Sequence, residues 1–402
     1  MRVNPMPTHP ESLSAPRAGF PVLPPAMLGI LGGGQLGRMF VVAAKTMGYQ
    51  VTVLDPDTHS PAAQLADVHL CAAYNDESAL IQMAGSCAAI TTEFENVPAS
   101  TLQFLAAHTF VAPGAHAVAI AQDRIAEKTF LRDAGLPVTA FLAVEHAEDL
   151  AGDLSPYLPG ILKTARMGYD GKGQARVTTP EAARLAFAQM AQPCVLEKMQ
   201  PLVREISAIV TRSIRGESAV FPIAENQHEG GILDVSIIPA RVPDVLRAAA
   251  SAYATTIADQ LDYVGVLAVE FFVLGDDQLV VNEIAPRPHN SGHYTLDATA
   301  TSQFQQQVRA LCGLPPGDPR LLTPIVMVNL LGDSWPGAGT ARCQEPNWSI
   351  LQTEPDVHLH LYGKREARPG RKMGHFHVLD KNINTALDKA RTLKTQLDAG
   401  AR

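Results

Sequence analysis

The sequence predicts an α/β protein in three parts: a doubly wound N-terminal domain, a central domain of two subdomains, and a small C-terminal β-rich domain with a terminal helix. Three observations predict it. At 402 residues the chain is too long for one ordinary core. It opens as strand, glycine turn, helix and strand, which builds a parallel sheet under covering helices. From residue 160 onward, strands flanking a glycine-rich loop, a pair at 194–199 and 205–212 and a hairpin across 275–278 are read beside helices at 180–190 and 301–311.

Bulk properties narrow the class. Apolar residues make up 46% and charged residues 18%, with a formal net charge of −8. An overall negative surface argues against nucleic acid or an anionic membrane as the main partner. The five cysteines are odd in number and widely spaced, so a disulfide framework is not expected and a reducing cytoplasm is. No apolar run has the length of a bilayer span. Residues 1–26 carry Pro5, Pro7, Pro10, Pro16, Pro21, Pro24 and Pro25 and read as a disordered arm, so the fold is expected to begin at Met27.

The first domain is expected over residues 27–122. An apolar strand runs into Gly32-Gly33-Gly34-Gln35-Leu36-Gly37, then a helix closed by Gly48, then a strand ending at Asp55. This is a Rossmann-like opening, with an acid about 20 residues past the glycines. Such a loop frees backbone amides for a phosphate at a helix N-terminus. It is equally the tight turn that any strand-to-helix junction needs. Further strands are expected at 88–92 and 110–111.

The central domain is expected over 123–318. A helix at 123–134 is stopped by Gly135-Leu136-Pro137. Lys163 lies on an apolar strand, followed by Arg166-Met167-Gly168-Tyr169-Asp170-Gly171-Lys172-Gly173-Gln174 and another strand. Lys172 does not lead into Ser or Thr and a helix, so this is no Walker loop. Flexible amides between two strands can wrap phosphate oxygens as a flap, although a plain glycine hairpin has the same composition. Residues 194–199 and 205–212 read as paired strands, with Glu197 and Lys198 at one end and Glu205 at the other.

The most informative piece is the hairpin across Gly275-Asp276-Asp277-Gln278. A turn centred on Asp276-Asp277 sets Glu270 opposite Glu283 on two apolar strands. Facing like charges are destabilising, so two buried carboxylates share a proton or hold a cation. An oxygen-ligand cation that also touches phosphates suits them, which indicates Mg²⁺. Residues 319–402 form the last part. They include a basic loop, Lys364-Arg365-Glu366-Ala367-Arg368-Pro369-Gly370-Arg371-Lys372, whose Pro-Gly turn can bring cations together around a phosphate.

In this order, Lys163, the glycine flap, Glu197, Glu205 and the Glu270/Glu283 pair resemble the ATP-grasp ligases. Within them the chain is most similar to the N5-carboxyaminoimidazole ribonucleotide synthase family. The carrying segments are GGGQLGRM from Gly32, TEFENV from Thr92, GYDGKGQ from Gly168, ENQH from Glu225 with Gly231-Ile232-Leu233, and NEIAPRPHNSGHYT from Asn282. The resemblance implies an ATP-grasp fold and carboxylation of 5-aminoimidazole ribonucleotide by ATP and bicarbonate, through carboxyphosphate, in purine synthesis. It implies a homodimer. The alternative is the formate-dependent glycinamide ribonucleotide transformylase, which shares the architecture.

Carried over position by position, the resemblance implies ATP contacts at Arg124, Lys163, Gly168, Tyr169, Asp170, Gly171, Lys172, Gly173, Gln174, Glu197, Lys198, Glu205, His228, Asn282 and Glu283. It implies ribonucleotide contacts at Gln35, Leu36, Glu93, Asn290, Lys364, Arg371 and Lys372. For the chemistry, Arg287 can hold an anionic bicarbonate and His293 can accept a proton near neutrality. Tyr169 and Asp170, on the flap, can orient and shield a labile intermediate.

Overall fold

The computed structural model describes residues 19–166, 168 and 173–401. Tyr169, Asp170, Gly171 and Lys172 of the flap, and residues 1–18 of the arm, lie outside them. Among the described residues, the strands assemble into three sheets.

The first sheet is parallel and holds β1 (Met27–Leu31), β2 (Gln50–Leu54), β3 (Val68–Leu70), β4 (Ala89–Thr92) and β5 (Phe110–Val111), in the order β3-β2-β1-β4-β5. Its central strands are apolar and buried along nearly their whole length, because helices cover both faces. Helices Glu77–Ser86 and Ala99–Ala106 cover one face. The other is covered by Gln35–Thr46 together with Gln303–Leu311, a helix from far along the chain. Strand order reverses between β1 and β4, and the crevice at their C-terminal ends is where such sheets bind ligands.

The end of the expected arm is part of the body. The Phe20 ring meets that of Phe110 edge-on at 4.8 Å. Val22 is buried, donates its N–H to the Cys312 carbonyl at 2.9 Å and accepts the Tyr49 hydroxyl at 2.9 Å. The expectation of disorder through residue 26 is corrected here. Two apolar side chains among the prolines fill a gap at the edge of the first core.

The second sheet is antiparallel: β6 (Phe141–Val144), β7 (Gly160–Thr164), β8 (Gln174–Val177) and β9 (Cys194–Lys198), in the order β6-β9-β7-β8. The third is also antiparallel. It joins β10 (Leu202–Arg212), β11 (Ser218–Val220), β12 (Ala224–Glu229), β13 (Ile232–Ile238), β14 (Gly265–Leu274) and β15 (Leu279–Ala285) to three strands of the C-terminal segment. Those are β16 (Ile325–Leu331), β17 (Val357–Leu361) and β18 (Lys372–Leu379), and β16 pairs with β13. The C-terminal segment thus extends the central sheet. Its own core lies under the terminal helix Ile383–Ala401.

The expected pairing of 194–199 with 205–212 does not occur. β9 pairs with β6 and β7, whereas β10 pairs with β11, β12 and β14. The three residues between them cross from one sheet to the other. Adjacency in sequence suggested a hairpin, but the connection passes from one sheet to the next.

Candidate active site

A cavity of about 520 Å³ opens between these two sheets, with the β9–β10 crossing on its wall. Of the residues expected to contact ATP, Arg124, Lys163, Gly168, Gln174, Glu197, Lys198, Glu205, His228, Asn282 and Glu283 all line it. Gly173 does not; its positive φ of 70° turns the chain beside Thr164, whose N–H it accepts at 2.8 Å.

On the β9 side the charges are matched. Glu197 is buried, with Lys128 Nζ 3.3 Å from one carboxylate oxygen and Lys163 Nζ 3.2 Å from the other. Burial raises the Glu197 carboxyl, but the two lysines outweigh it and hold it down at about 2. Lys128 projects from helix Arg124–Asp133, whose N-cap Asp123 accepts the Ile125 and Ala126 N–H groups. Burial, in turn, lowers Lys163.

On the β14–β15 side they are not. Glu270 pairs directly with Glu283 across the hairpin. The register arises differently from the sequence argument. The turn is the three residues Gly275–Asp277, with Asp277 at φ 54°, and the register it sets runs from Val273 opposite Leu279 to Phe271 opposite Val281. Asn282 is then an extra residue on β15, a bulge that restores the Glu270–Glu283 pairing. The carbonyl of that bulged residue accepts Lys128 Nζ at 2.7 Å. Burial, and next the Glu283 charge, push Glu270 up to about 7. The same two causes push Glu127, which accepts the Ile284 N–H at 2.6 Å, up to about 8. Arg124 Nη1 reaches Glu283 at 3.1 Å.

His228 Nδ1 lies 2.7 Å from Glu205, close enough for an ion pair though not aligned as a hydrogen bond. Burial lowers His228, but the Glu205 carboxylate more than compensates and raises it.

Farther along the cavity, Arg287 donates Nε to Glu95 and Nη1 to the Pro288 carbonyl. Burial opposes ionisation of Glu95, yet Arg287 holds it down at about 2. Asn290 and Lys372 also line the cavity, and Asn290 Oδ1 is buried without a partner, a polar atom poised for a ligand.

The remaining ribonucleotide candidates gather at the β1–β4 crevice. Glu93, just past β4, accepts the Gly34 and Gly37 N–H groups, and Asp55 accepts that of Gly33 at 2.7 Å. The Gly33, Gly34 and Gly37 amides of the glycine loop are therefore taken by the chain's own carboxylates. Lys364 Nζ donates to Gln35 Oε1 at 2.7 Å, and burial with Arg371 nearby lowers it to about 8. Arg371 donates to the Glu366 carbonyl at 2.8 Å. Leu36 is an exception: its side chain is buried in the first-domain core with Phe40.

His293 is a correction. It is fully buried, stacked on His375 at 4.5 Å and facing Phe304 at 5.9 Å, and does not line the cavity. The turn Asn290–Gly292 carries it into the core. In this segment the imidazole facing the cavity is that of His289, four residues earlier, with Nε2 3.2 Å from Glu270 and Nδ1 2.9 Å from Ser291 Oγ. Burial, then the Arg287 charge, push it well below its ordinary value and keep it neutral. Sequence reasoning also missed Glu95, Lys128 and Glu127. Glu95 and His289 sit inside segments that carried the resemblance, whereas nothing in the sequence marks Lys128 as buried.

Comparison with known proteins agrees with this geometry. Residues 26–122 match the ribonucleotide synthetase preATP-grasp domain, 129–304 the ATP-grasp domain, and 325–389 the phosphoribosylaminoimidazole carboxylase C-terminal domain. The N5-carboxyaminoimidazole ribonucleotide synthase of Bacillus subtilis (strain 168) is 44% identical over 357 residues, covering 88% of this chain and 92% of that protein. That of Brucella melitensis is 44% identical over 356 residues, covering 88% and 96%. A solved N5-carboxyaminoimidazole ribonucleotide synthetase in complex with ADP superposes with a TM-score of 0.86 at 44% identity, covering 95% and 99%. The Aspergillus clavatus enzyme, solved with ADP and 5-aminoimidazole ribonucleotide, gives 0.82 at 31%, covering 93% and 99%. The chain belongs to the N5-carboxyaminoimidazole ribonucleotide synthase family of ATP-dependent ligases in purine biosynthesis.

Proposed function

We propose that the cavity between the sheets binds ATP and activates bicarbonate, and that the carboxyl group then passes to the amine of 5-aminoimidazole ribonucleotide held toward the β1–β4 crevice. The observation that carries this is the facing Glu270/Glu283 pair in a cavity also lined by Lys163, Glu197 and Arg287. A carboxylate pushed up to about 7 by burial, and next by a facing carboxylate, fits a divalent cation. Mg²⁺ held by Glu270 and Glu283 would neutralise charge on the phosphates.

Lys163 supplies fixed positive charge for those phosphates, and Arg287 a planar fork for bicarbonate. A bicarbonate oxygen attacks the γ-phosphorus and ADP leaves. The substrate amine then attacks the carboxyl carbon, the bond from that carbon to the phosphate-bearing oxygen breaks, and inorganic phosphate leaves. His289, in the cavity with Nε2 3.2 Å from Glu270, takes the place of the buried His293 as the candidate acceptor of the amine proton, the Glu270 carboxylate beside it favouring the imidazolium. Asn290, Gln35, Glu93, Lys364, Arg371 and Lys372 hold the ribonucleotide in this reading. A cytoplasmic homodimer is the expected setting, to be checked by sedimentation.

The relatives carry the carboxylating name and not that of the formate-using transformylase. ADP release distinguishes the two. It is expected to require bicarbonate and 5-aminoimidazole ribonucleotide together, and turnover with formate and glycinamide ribonucleotide instead would overturn the reading.

A further inference from the structure

Outside the ATP cavity, one face of the C-terminal strands concentrates histidine. His358 and His360 alternate along β17, and His375 and His377 along β18, so each pair projects on one side. The register sets His358 opposite His377 and His360 opposite His375. The four positions share the face away from the terminal helix, which packs on Phe376 and Val378 instead, and the rings of His360, His375 and His377 lie 4.7–5.2 Å apart.

Asp297, on the short helix Thr295–Ala298, reaches these histidines. Its Oδ2 meets His377 Nδ1 at 2.5 Å and His360 Nε2 at 2.7 Å, and its Oδ1 lies 3.2 Å from His358 Nδ1. His375 uses its Nδ1 on the Tyr362 hydroxyl, at 2.9 Å. That leaves His375 Nε2 and His377 Nε2 fully buried without any partner. A buried polar atom without a partner loses its hydration without replacement, and here two coincide. One ligand nitrogen from each of His360, His375 and His377 lies within 4.8 Å of the others. No residue of the trio lines the ATP cavity.

We propose that His360, His375 and His377 form a second metal site, for a borderline divalent ion of the Zn²⁺ class, with Asp297 fixing two of the rings from behind. Three imidazoles are a recurrent Zn²⁺ ligand set. A carboxylate on the far nitrogen is the usual second partner of a metal-bound histidine, because it sets the tautomer and raises ligand basicity. Mg²⁺ would not compete well, since it prefers oxygen ligands. Zn–N bonds of about 2.0–2.1 Å need ligand nitrogens roughly 3.4 Å apart, so loading would draw the rings in by about an ångström. Access is present: His360 also lines a surface cleft of about 430 Å³ beside Met39 and Leu361. An ion there would tie β17 and β18 to the helix that follows Asn290, linking the C-terminal strands to the ribonucleotide end of the active site.

The test uses the full chain, freed of metal with a chelator and held in excess Mg²⁺ to occupy the Glu270/Glu283 pair. Titration with Zn²⁺ against a chromophoric competitor should show one tightly held equivalent. Asp297→Asn should weaken it by roughly 10–100-fold, and His375→Gln with His377→Gln should abolish it. Because those buried variants could fail to fold, zinc-edge X-ray absorption on the unaltered protein provides the independent readout, with three imidazole nitrogens expected. No Zn²⁺ retained in excess Mg²⁺ would overturn the site. So would an oxygen-only shell, a sulfur shell from exposed Cys71 or Cys343, or unchanged affinity in Asp297→Asn.

Discussion

Glu197 and Glu270 line the same cavity on facing sheets, yet their surroundings drive them in opposite directions. Glu197 has two lysines within 3.3 Å and stays ionised down to about 2. Glu270 faces another glutamate and is pushed up to about 7. The β9 side is electrostatically complete within the chain. On the β14–β15 side the chain offers Glu283 the Arg124 guanidinium at 3.1 Å and Glu270 a neutral imidazole at 3.2 Å, and in the proposed reading a cation completes it.

The strongest way to break the comparison is to neutralise the unmatched side. Glu270→Gln or Glu283→Gln should lower turnover by about a thousandfold, the upper range for loss of one electrostatic stabiliser. The melting temperature should hold or rise, because a repulsion disappears with the ligand. Near-normal turnover at low Mg²⁺ would dissociate the pair from the metal.

Breaking the matched side should do the reverse, costing stability first. Lys128→Met leaves Glu197 buried with one lysine, and roughly 3 kcal/mol is expected in a urea midpoint measurement, the lower end for such pairs because Lys163 remains. Adding Glu197→Gln should recover most of it. No recovery would mean that Lys128 acts chiefly through the Asn282 carbonyl.

A smaller effect is expected at the ribonucleotide end. Arg371→Ala should raise KM for 5-aminoimidazole ribonucleotide by about ten- to a hundredfold, the energy of one charge-assisted hydrogen bond. KM for ATP should barely move, since Arg371 does not line the ATP cavity. An equal defect on the ATP side would contradict the assignment.

The smallest effect is a pH slope. Glu270 binds its proton more tightly folded, at about 7, than in an unfolded chain near 4.5. Between those values the folded state carries more protons, so metal-free stability falls as pH rises from about 5 to 7. Glu127, held up at about 8, extends the decline. The rise in melting temperature on adding Mg²⁺ should therefore be larger at pH 8 than at pH 5.5, and Glu270→Gln should remove that difference. Equal shifts at both pH values in the unaltered protein would argue against the raised carboxyl.

Regular elements made much of this legible in advance. Period-two apolar strands and a short turn brought Glu270 against Glu283, although the true turn is one residue shorter on one side and the Asn282 bulge compensates. The helix expected over 123–134 is present as Arg124–Asp133, with Asp123 as its N-cap. His289 and His293 show the limit. Both stand in one irregular segment, where no period tells which ring turns toward the cavity and which into the core.

The sequence by itself determined the three-part α/β class, the glycine turns, the hairpin and the family, because these depend on local periodicity and short motifs. Only the tertiary structure decided that β9 and β10 belong to different sheets, that β16–β18 extend the central one, and that Lys128 is buried beside Glu197. It also decided that histidines from β17 and β18 converge on Asp297, some sixty to eighty residues earlier in the chain. Those outcomes rest on burial and on contacts between distant segments, and a charge's surroundings are set by whatever the fold brings against it, not by its neighbours in sequence.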